Sequence, residues 1–333
     1  MKITSLAIAN LQVKNNVFLA PMAGITDLPM RRLVKSYGEG NVVSEMVAIN
    51  GISYKNSKSY RIADVREEPY PVVVQMVGGD AELFAQHAEF ISSLGAYSLD
   101  INMGCPVKKI VNNHSGSYLM TDIERAANII CSVKKSVSLP ISVKFRLGWD
   151  HQHVNVIEFA KMCEECGADY ITVHGRTRSD FYSGKANWEK IAEVKQSVKI
   201  PVIGNGDIDS VQSAQNMIDQ TNVDGIMVGR AALGAPWLIS QIHEYIENKI
   251  FPQKISVCDI KRALLIHLKE LNEYYGEKLA LPLSRKYACW YSKSFRDAKK
   301  FRERYVRINN WTDALKEINI FFDYIEQESE EEK

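Results

Sequence analysis

Nowhere is this chain apolar for the roughly 18 consecutive residues that a membrane-spanning helix needs, so no bilayer span is expected. Cysteine is sparse. The six thiols (105, 131, 163, 166, 258 and 289) are scattered through 333 residues, which suits reduced cysteines in a cytosol rather than a disulfide framework. The first residues, Met1-Lys-Ile-Thr-Ser-Leu-Ala-Ile, have no small-residue cleavage site behind a hydrophobic core, so a secretory leader is not expected and the cytoplasm is. Metal-ligand spacing is missing among the seven histidines. Cys163-Glu-Glu-Cys166 has a CxxC spacing but no second pair of ligands, and it sits in an amphipathic stretch. Core packing accounts for it better than zinc or redox chemistry, and no metal is expected. Net charge is nearly absent too, at +1, which taken alone speaks against a nucleic-acid binder.

The near-neutral total hides a segregation. Residues 256–308 hold thirteen Lys/Arg against six Asp/Glu, whereas the tail from Asp313 is acidic and ends Glu-Ser-Glu-Glu-Glu-Lys. Over the whole chain, 46% hydrophobic and 24% charged residues describe an ordinary globular protein, long enough for one large domain and a smaller one.

Eight short runs of strand length recur between residues 17 and 229: Val17-Phe-Leu-Ala, Asn41-Val-Val-Ser, Val72-Val-Val-Gln-Met, Ser98-Leu-Asp-Ile, Ile141-Ser-Val-Lys-Phe, Tyr170-Ile-Thr-Val-His, Pro201-Val-Ile-Gly and Gly225-Ile-Met-Val. Each is almost continuously apolar, as in strands buried on both faces. Stretches with helical spacing lie between most of them, at 81–94, 123–137, 156–166, 188–198 and 211–220. This alternation predicts an α/β fold, a (β/α)8 TIM barrel. An open doubly wound sheet competes, but it wants a glycine-rich fingerprint after its first strand, and Ala20-Pro-Met-Ala-Gly24 does not supply one. Residues 248–256, with Pro252 and little periodicity, mark a boundary between a barrel domain (1–248) and a helical domain (256–333). Helices are predicted at 259–275, 283–293, 297–307 and 312–327, forming a small bundle.

In a barrel of this kind the chemistry gathers where strands end. Those positions read Ala20-Pro21-Met22-Ala23-Gly24, Glu45, Gln75, Asn102 with Cys105, Lys144 and Arg146, His174-Gly-Arg176, Asn205-Gly206-Asp207, and Gly229-Arg230. The run Asp100-Ile-Asn-Met-Gly-Cys105-Pro-Val-Lys-Lys109 presents one thiol on a sharp turn, a place for meeting a substrate rather than filling a core. The small-residue turns after strands 7 and 8 fall where barrels bind phosphate, with Arg230 available for a charge-assisted contact; they could equally be nothing but short turns. Lys144 would sit over a cofactor ring, and the Gln75 amide suits a flavin or pyrimidine edge.

These motifs resemble a known family. Ala20-Pro-Met-Ala-Gly-Ile-Thr-Asp27, Asp100–Lys109, Val173-His-Gly-Arg-Thr-Arg178, Asn205-Gly-Asp207, Gly229-Arg-Ala-Ala-Leu-Gly-Ala-Pro-Trp237 and Arg285-Lys-Tyr-Ala-Cys-Trp-Tyr291 are similar to successive motifs of the tRNA-dihydrouridine synthases, most like the bacterial B-type branch. Tyr118-Leu-Met120 and Tyr287 depart from the family pattern, the latter where a histidine is usual. The resemblance implies reduction of the C5–C6 double bond of uridine in tRNA, with FMN bound and NADPH or NADH as electron donor. It implies Cys105 as proton donor to C5. Pro21, Met22 and Ala23 would pack along the flavin, with Gln75 and Lys144 at its polar edge. Asn205, Gly206, Asp207, Gly229 and Arg230 would hold its phosphate, with His174 nearby. Asn102 and Arg176 would address the uracil, and Arg285, Lys286, Lys293, Arg296, Lys299 and Lys300 would grip RNA phosphates. A monomer is expected. Two other readings stay open at this stage: a small-molecule flavin dehydrogenase of the dihydroorotate type, which would not need the basic helices, and a barrel that binds RNA without turnover.

Overall fold

The computed structural model describes residues 6–8, 11–13, 15–38, 40–69 and 71–331. Eight parallel strands form its centre: β1 (Val17–Leu19), β2 (Asn41–Val43), β3 (Val72–Val77), β4 (Ser98–Met103), β5 (Ile141–Phe145), β6 (Tyr170–His174), β7 (Val202–Asn205) and β8 (Gly225–Val228). Each pairs with the next, and β8 returns to β1 in the register Ile226–Val17, Met227–Phe18, Val228–Leu19, so the barrel is closed. Apart from the half-buried Lys144, every residue of these strands is buried, which is why they read as unbroken apolar runs. An inner cluster (Phe18, Val43, Val73, Tyr97, Tyr170, Ile203, Met227) fills the lumen. A larger one, including Leu99, Ile129, Phe159, Val194 and Ile226, packs strands against the surrounding helices.

The helices start where a short polar residue can cap them. Asp27 opens α1 (Leu28–Ser36), Asp80 opens α2 (Ala81–Ser93) and Asp122 opens α3 (Ile123–Ser136). After α4 (Val156–Glu165), Asn187 opens α5 (Trp188–Ser197), and Ser210 opens α6 (Val211–Thr221) with a reciprocal capping box to Ser213. One more helix, α7 (Leu238–Asn248), completes the ring and was not among the stretches predicted from periodicity. Between β2 and β3 there are two short helices, Ile49–Ser53 and Ser57–Ala63, and a strand fragment, Val47–Ala48, that pairs with β3 beyond β2. The backbone of Ser44–Met46, between the two β3-paired pieces, brings Glu45 to the first βα loop, where its carboxylate accepts from Gly24 N–H at 2.6 Å.

Beyond residue 256 the chain is helical: α8 (Val257–Tyr275), α9 (Glu277–Ser292), α10 (Ala298–Tyr305) and α11 (Trp311–Glu331). Helix α9 starts at Glu277, ahead of the predicted 283, because Pro282 lies inside it rather than before it. A second apolar cluster, with Leu264, Leu268, Tyr287, Phe301 and Phe322, holds these helices together and takes in Leu33 of α1. The junction is also polar. Arg31 and Glu68 form an ion pair in which both side chains are almost fully buried. Asp27 receives Met30 N–H at 3.2 Å and the Tyr275 hydroxyl at 3.0 Å.

Burial, with Glu45 nearby, pushes the Asp27 carboxyl up to about 6, above the roughly 3.9 of an unfolded chain. Its stabilising effect is therefore full below about pH 4 and is lost as pH rises through about 6. An amide at this position does not titrate. Urea unfolding of Asp27→Asn against wild type is expected to shift in favour of the variant by of order 2 kcal/mol between pH 4 and pH 8. A pH-independent difference would contradict this.

Candidate active site

A cleft of about 830 Å³ opens at the carboxyl ends of the strands. Of the residues singled out from sequence, Pro21, Met22, Ala23, Asn102, Cys105, Lys144, His174, Arg176, Asn205, Gly206, Asp207, Gly229 and Arg230 line it. Gln75, Arg285 and Lys286 are not among its lining residues.

The thiol is placed by a turn with identifiable parts. Asn102 Oδ1 accepts from the backbone N–H groups of Gly104 (3.2 Å) and Cys105 (2.9 Å), wrapping the chain at the end of β4. From the other side, the Cys105 carbonyl accepts from Ser117 N–H at 3.1 Å and the Ser117 hydroxyl at 3.0 Å. Gly116 is needed for this approach: its φ is +61°, and a Cβ there would lie 2.8 Å from the Cys105 carbonyl oxygen. Burial pushes the Cys105 thiol above its ordinary pKa, against the pull of Arg146 and Lys144. At neutral pH it is a protonated thiol, able to give a proton rather than to attack as thiolate.

Arg146 ends β5 and received no role from sequence, yet it ties two walls of the cleft together. Its Nε donates to Gly104 O at 2.8 Å, and Nη1 donates to Thr177 O at 2.9 Å and Phe181 O at 2.8 Å. Burial brings it down to about 10, so it stays cationic at neutral pH. The half-exposed ring of Tyr182 is approached by both the Arg146 and Arg230 guanidinium groups, 5.6 and 5.2 Å from its centroid. Only the aromatic pair Phe181-Tyr182 in an otherwise polar loop could have pointed to it.

On the neighbouring strand, in register with Asn102, Lys144 Nζ donates to Asn205 Oδ1 at 3.1 Å and is brought down to about 8, chiefly by burial and then by Arg146. His174 is held neutral by burial, reinforced by Lys144, Arg146, Arg176 and Arg230 around it. Asp207, at φ +58°, turns its carboxylate onto Arg176 Nη2 (2.7 and 2.9 Å) and Ala186 N–H (2.7 Å). A carboxylate repels phosphate, so what Asp207 offers an anion is backbone, while its side chain orders the cation next to it. Arg176 in turn donates from Nε to Ser183 O at 2.9 Å and from Nη2 to Gly184 O at 2.6 Å, so most of its donors are committed before any base arrives. Arg230 is 55% exposed, and the Asp207 carboxylate is 3.8 Å away. The lining thus carries four cationic side chains (Lys144, Arg146, Arg176, Arg230) against two carboxylates (Asp207, Asp209), an environment that suits an anionic ligand.

Gln75 lies fully buried, its amide shared between Asp100 and Asn102. The two residues expected to grip RNA from α9 are placed differently. Arg285 Nη2 donates to the Ile308 carbonyl at 3.2 Å, within the helical segment. Lys286 Nζ reaches back to the Gly24 carbonyl of the first βα loop and passes over the rings of Tyr287 and Trp290. Composition had located the basic segment but not which helix faces turn inward. Arg296 and Lys300 pair with Glu328 and Asp297, whereas Lys293, Lys299 and Arg307 are exposed with no carboxylate partner among the described residues.

A closed parallel barrel with a polar cleft at its carboxyl-terminal rim places the protein among the TIM-barrel enzymes. Solved structures of that architecture superpose on it. 2-Naphthoyl-CoA reductase in complex with 2-naphthoyl-CoA matches with a TM-score of 0.56 at 15% identity, over 73% of this chain and 52% of that one. Morphinone reductase in complex with tetrahydroNAD matches with a TM-score of 0.53 at 13% identity, over 78% and 93%. At such identities the likeness concerns the fold alone. The family is settled by sequence: the model described as Dihydrouridine synthase (Dus) matches residues 18–326, and this chain belongs to that family of flavin oxidoreductases. A probable tRNA-dihydrouridine synthase of Rickettsia bellii is 43% identical over 299 residues, 89% of this chain and 91% of the relative. The tRNA-dihydrouridine synthase B of Pseudomonas aeruginosa is 40% identical over 92% and 93%, and that of Vibrio vulnificus 39% over 96% and 99%.

Removing the Asp207 carboxylate leaves the buried Arg176 guanidinium without its anionic partner. Asp207→Ala is expected to destabilise the protein by about 2 kcal/mol, read by denaturant unfolding. An unchanged midpoint would show that the pair does not hold this wall.

Proposed function

We propose that this protein reduces the C5–C6 double bond of specific uridines in tRNA to 5,6-dihydrouridine, with FMN in the cleft and NADPH or NADH as the source of electrons. The observation that carries the proposal is a protonated, buried thiol, Cys105, facing into a cleft rich in fixed cations. The residues present fit a flavin phosphate: Arg230 is available for a charge-assisted bond, and the Asn205–Asp207 and Gly229–Arg230 turns offer backbone. Pro21, Met22 and Ala23 would wall the flavin ring, with Lys144 toward its polar edge and neutral His174 beside it, whereas Gln75, its amide engaged by Asp100 and Asn102, would support the site from beneath rather than touch the ring. When bound, the flavin supplies hydride to C6 of the base. Cys105 holds a proton on Sγ and gives it to C5, so the thiol must stay protonated until that moment, which burial favours. Asn102 and Arg176 address the uracil, Arg176 with whatever donor capacity Asp207 and the 183–184 carbonyls leave.

A target base inside folded tRNA has to leave its stack to reach such a cleft. The helical segment can grip the surrounding phosphates through Lys293, Lys299 and Arg307. That basic surface favours RNA over a small pyrimidine as the carrier of the reacting ring. Among the described residues no helix is long and apolar enough to cross a membrane. We place the enzyme in the cytoplasm, acting on tRNA as a monomer.

The purified protein is expected to show visible flavin absorption and to form dihydrouridine in unmodified tRNA when supplied with NADPH. Cys105→Ala should keep the flavin and bind tRNA normally while reduction slows by about 10²-fold or more. Full activity in that variant would remove the proton-donor role. The double substitution Lys293→Ala with Lys299→Ala should weaken tRNA binding several-fold and lower its salt dependence, leaving the flavin spectrum unchanged. Unaltered affinity and salt slope would move the RNA-binding surface elsewhere.

A further inference from the structure

Beneath the cleft a chain of hydrogen bonds runs in one direction. Asp100 Oδ1 accepts from the Ser142 hydroxyl and Oδ2 accepts from Gln75 Nε2, both at 2.6 Å. Gln75 Oε1 accepts from Asn102 Nδ2 at 2.8 Å, and Asn102 Oδ1 accepts from the N–H groups of Gly104 and Cys105. An amide can be turned either way in isolation, but here both ends of the chain are fixed. An ionised carboxylate only accepts, and a peptide N–H only donates. Neither Gln75 nor Asn102 can flip without setting donor against donor or acceptor against acceptor, and Asp100, Gln75 and Asn102 are all under 10% exposed, so water is poorly placed to repair the mismatch.

We propose that Asp100 is a positioning residue of the reaction: acting through Gln75, it locks the Asn102 amide so that its oxygen holds the Cys105 turn and its nitrogen can only donate. Two consequences follow, and both rest on the reading of the cleft as a uridine-reducing site. First, the direction in which the Cys105 turn is wrapped depends on a carboxylate two hydrogen bonds away from Asn102. Second, the N–H that Asn102 has left over makes this part of the wall a donor, so the matching group of a pyrimidine is a ring carbonyl oxygen and not an exocyclic amine. Where that donor meets the 4-position of the ring, next to the C5 that Cys105 would serve, the lock favours the 4-oxo pyrimidine, uracil, over the 4-amino pyrimidine, cytosine.

The test reads Cys105 directly, without RNA or turnover. Flavin-loaded protein is treated with iodoacetamide at neutral pH, and alkylation of the Cys105 peptide is followed by mass spectrometry, with Cys258 of the helical segment as internal reference. Asp100→Leu breaks the lock at its anchor and is expected to raise the Cys105 rate about tenfold relative to Cys258, as the turn loses one hydrogen-bonded hold. Asp100→Asn can still offer an oxygen to Gln75 while its amide nitrogen donates to the Ser142 hydroxyl, so it should stay within about twofold of wild type. Gln75→Met cuts the same chain at its middle and should match Asp100→Leu, which keeps the test available if the leucine variant does not fold. A wild-type rate in Asp100→Leu or Gln75→Met would overturn the proposal, as would Asp100→Asn reacting as fast as Asp100→Leu. Parallel acceleration of Cys258 would assign the effect to general loosening and overturn it too. Failure of the functional reading would instead appear in the wild type, as absent flavin or absent dihydrouridine.

Discussion

Closure of the barrel is the constraint on which the site depends. When Ile226, Met227 and Val228 pair with Val17, Phe18 and Leu19, the last strand of the sheet is joined to the first. Ala20 N–H then donates to Val228 O at 2.8 Å, which sets the Pro21–Ala23 loop beside Gly229 and Arg230 although some 200 residues separate them. The parallel order does the rest. Because all eight strands point the same way, every strand-ending polar residue emerges on one rim, and a lined cleft follows from topology before any side chain is considered.

What the rim does is governed by buried charge. Lys144, Arg146 and Arg176 are held below the surface by carbonyls, amides and Asp207, and Arg230 stands more exposed at the edge. Such a cluster costs desolvation and mutual repulsion, and an anionic ligand would relieve both. Burial, reinforced by the same field, keeps His174 neutral. Burial outweighs that field at Cys105 and leaves the thiol protonated. One cleft thus presents fixed positive charge for binding and a proton on sulfur for chemistry. The loop that walls it is held from two sides, by Glu45 at Gly24 N–H and by Lys286 at Gly24 O, so the helical segment contacts the site instead of merely following it.

Much of this was legible in the sequence because strands buried on both faces leave a local signature. The eight apolar runs and the polar residue closing each one needed no tertiary information to be seen. The thiol turn was legible for the same reason: Asn102, Gly104 and Cys105 are neighbours, and the Asx-type wrap is local. What sequence could not supply was direction. Arg285 and Lys286 belong to a basic segment, but only packing decides that one turns to Ile308 and the other to Gly24. Asp207 and Arg176 each stand at a strand end where a ligand is expected, whereas across the β6–β7 gap they face each other. Pro282 reads as a helix stop and is inside a helix because α9 is held by Tyr287, Ala288 and Tyr291 in the second core. Arg146 was visible as a strand end, yet its bonds to Gly104, Thr177 and Phe181 depend on two loops that meet only in the folded chain.

The central claim is that this cleft reduces uridine in tRNA with a proton from Cys105. The most direct measurement is a position-by-position map of dihydrouridine in tRNA from cells with the gene deleted, and from the deletion strain carrying either the wild-type gene or Cys105→Ala. Loss of dihydrouridine at defined positions, restored by the wild-type gene and not by the variant, is the expected result. A map unchanged by the deletion, or restored equally by Cys105→Ala, would contradict it.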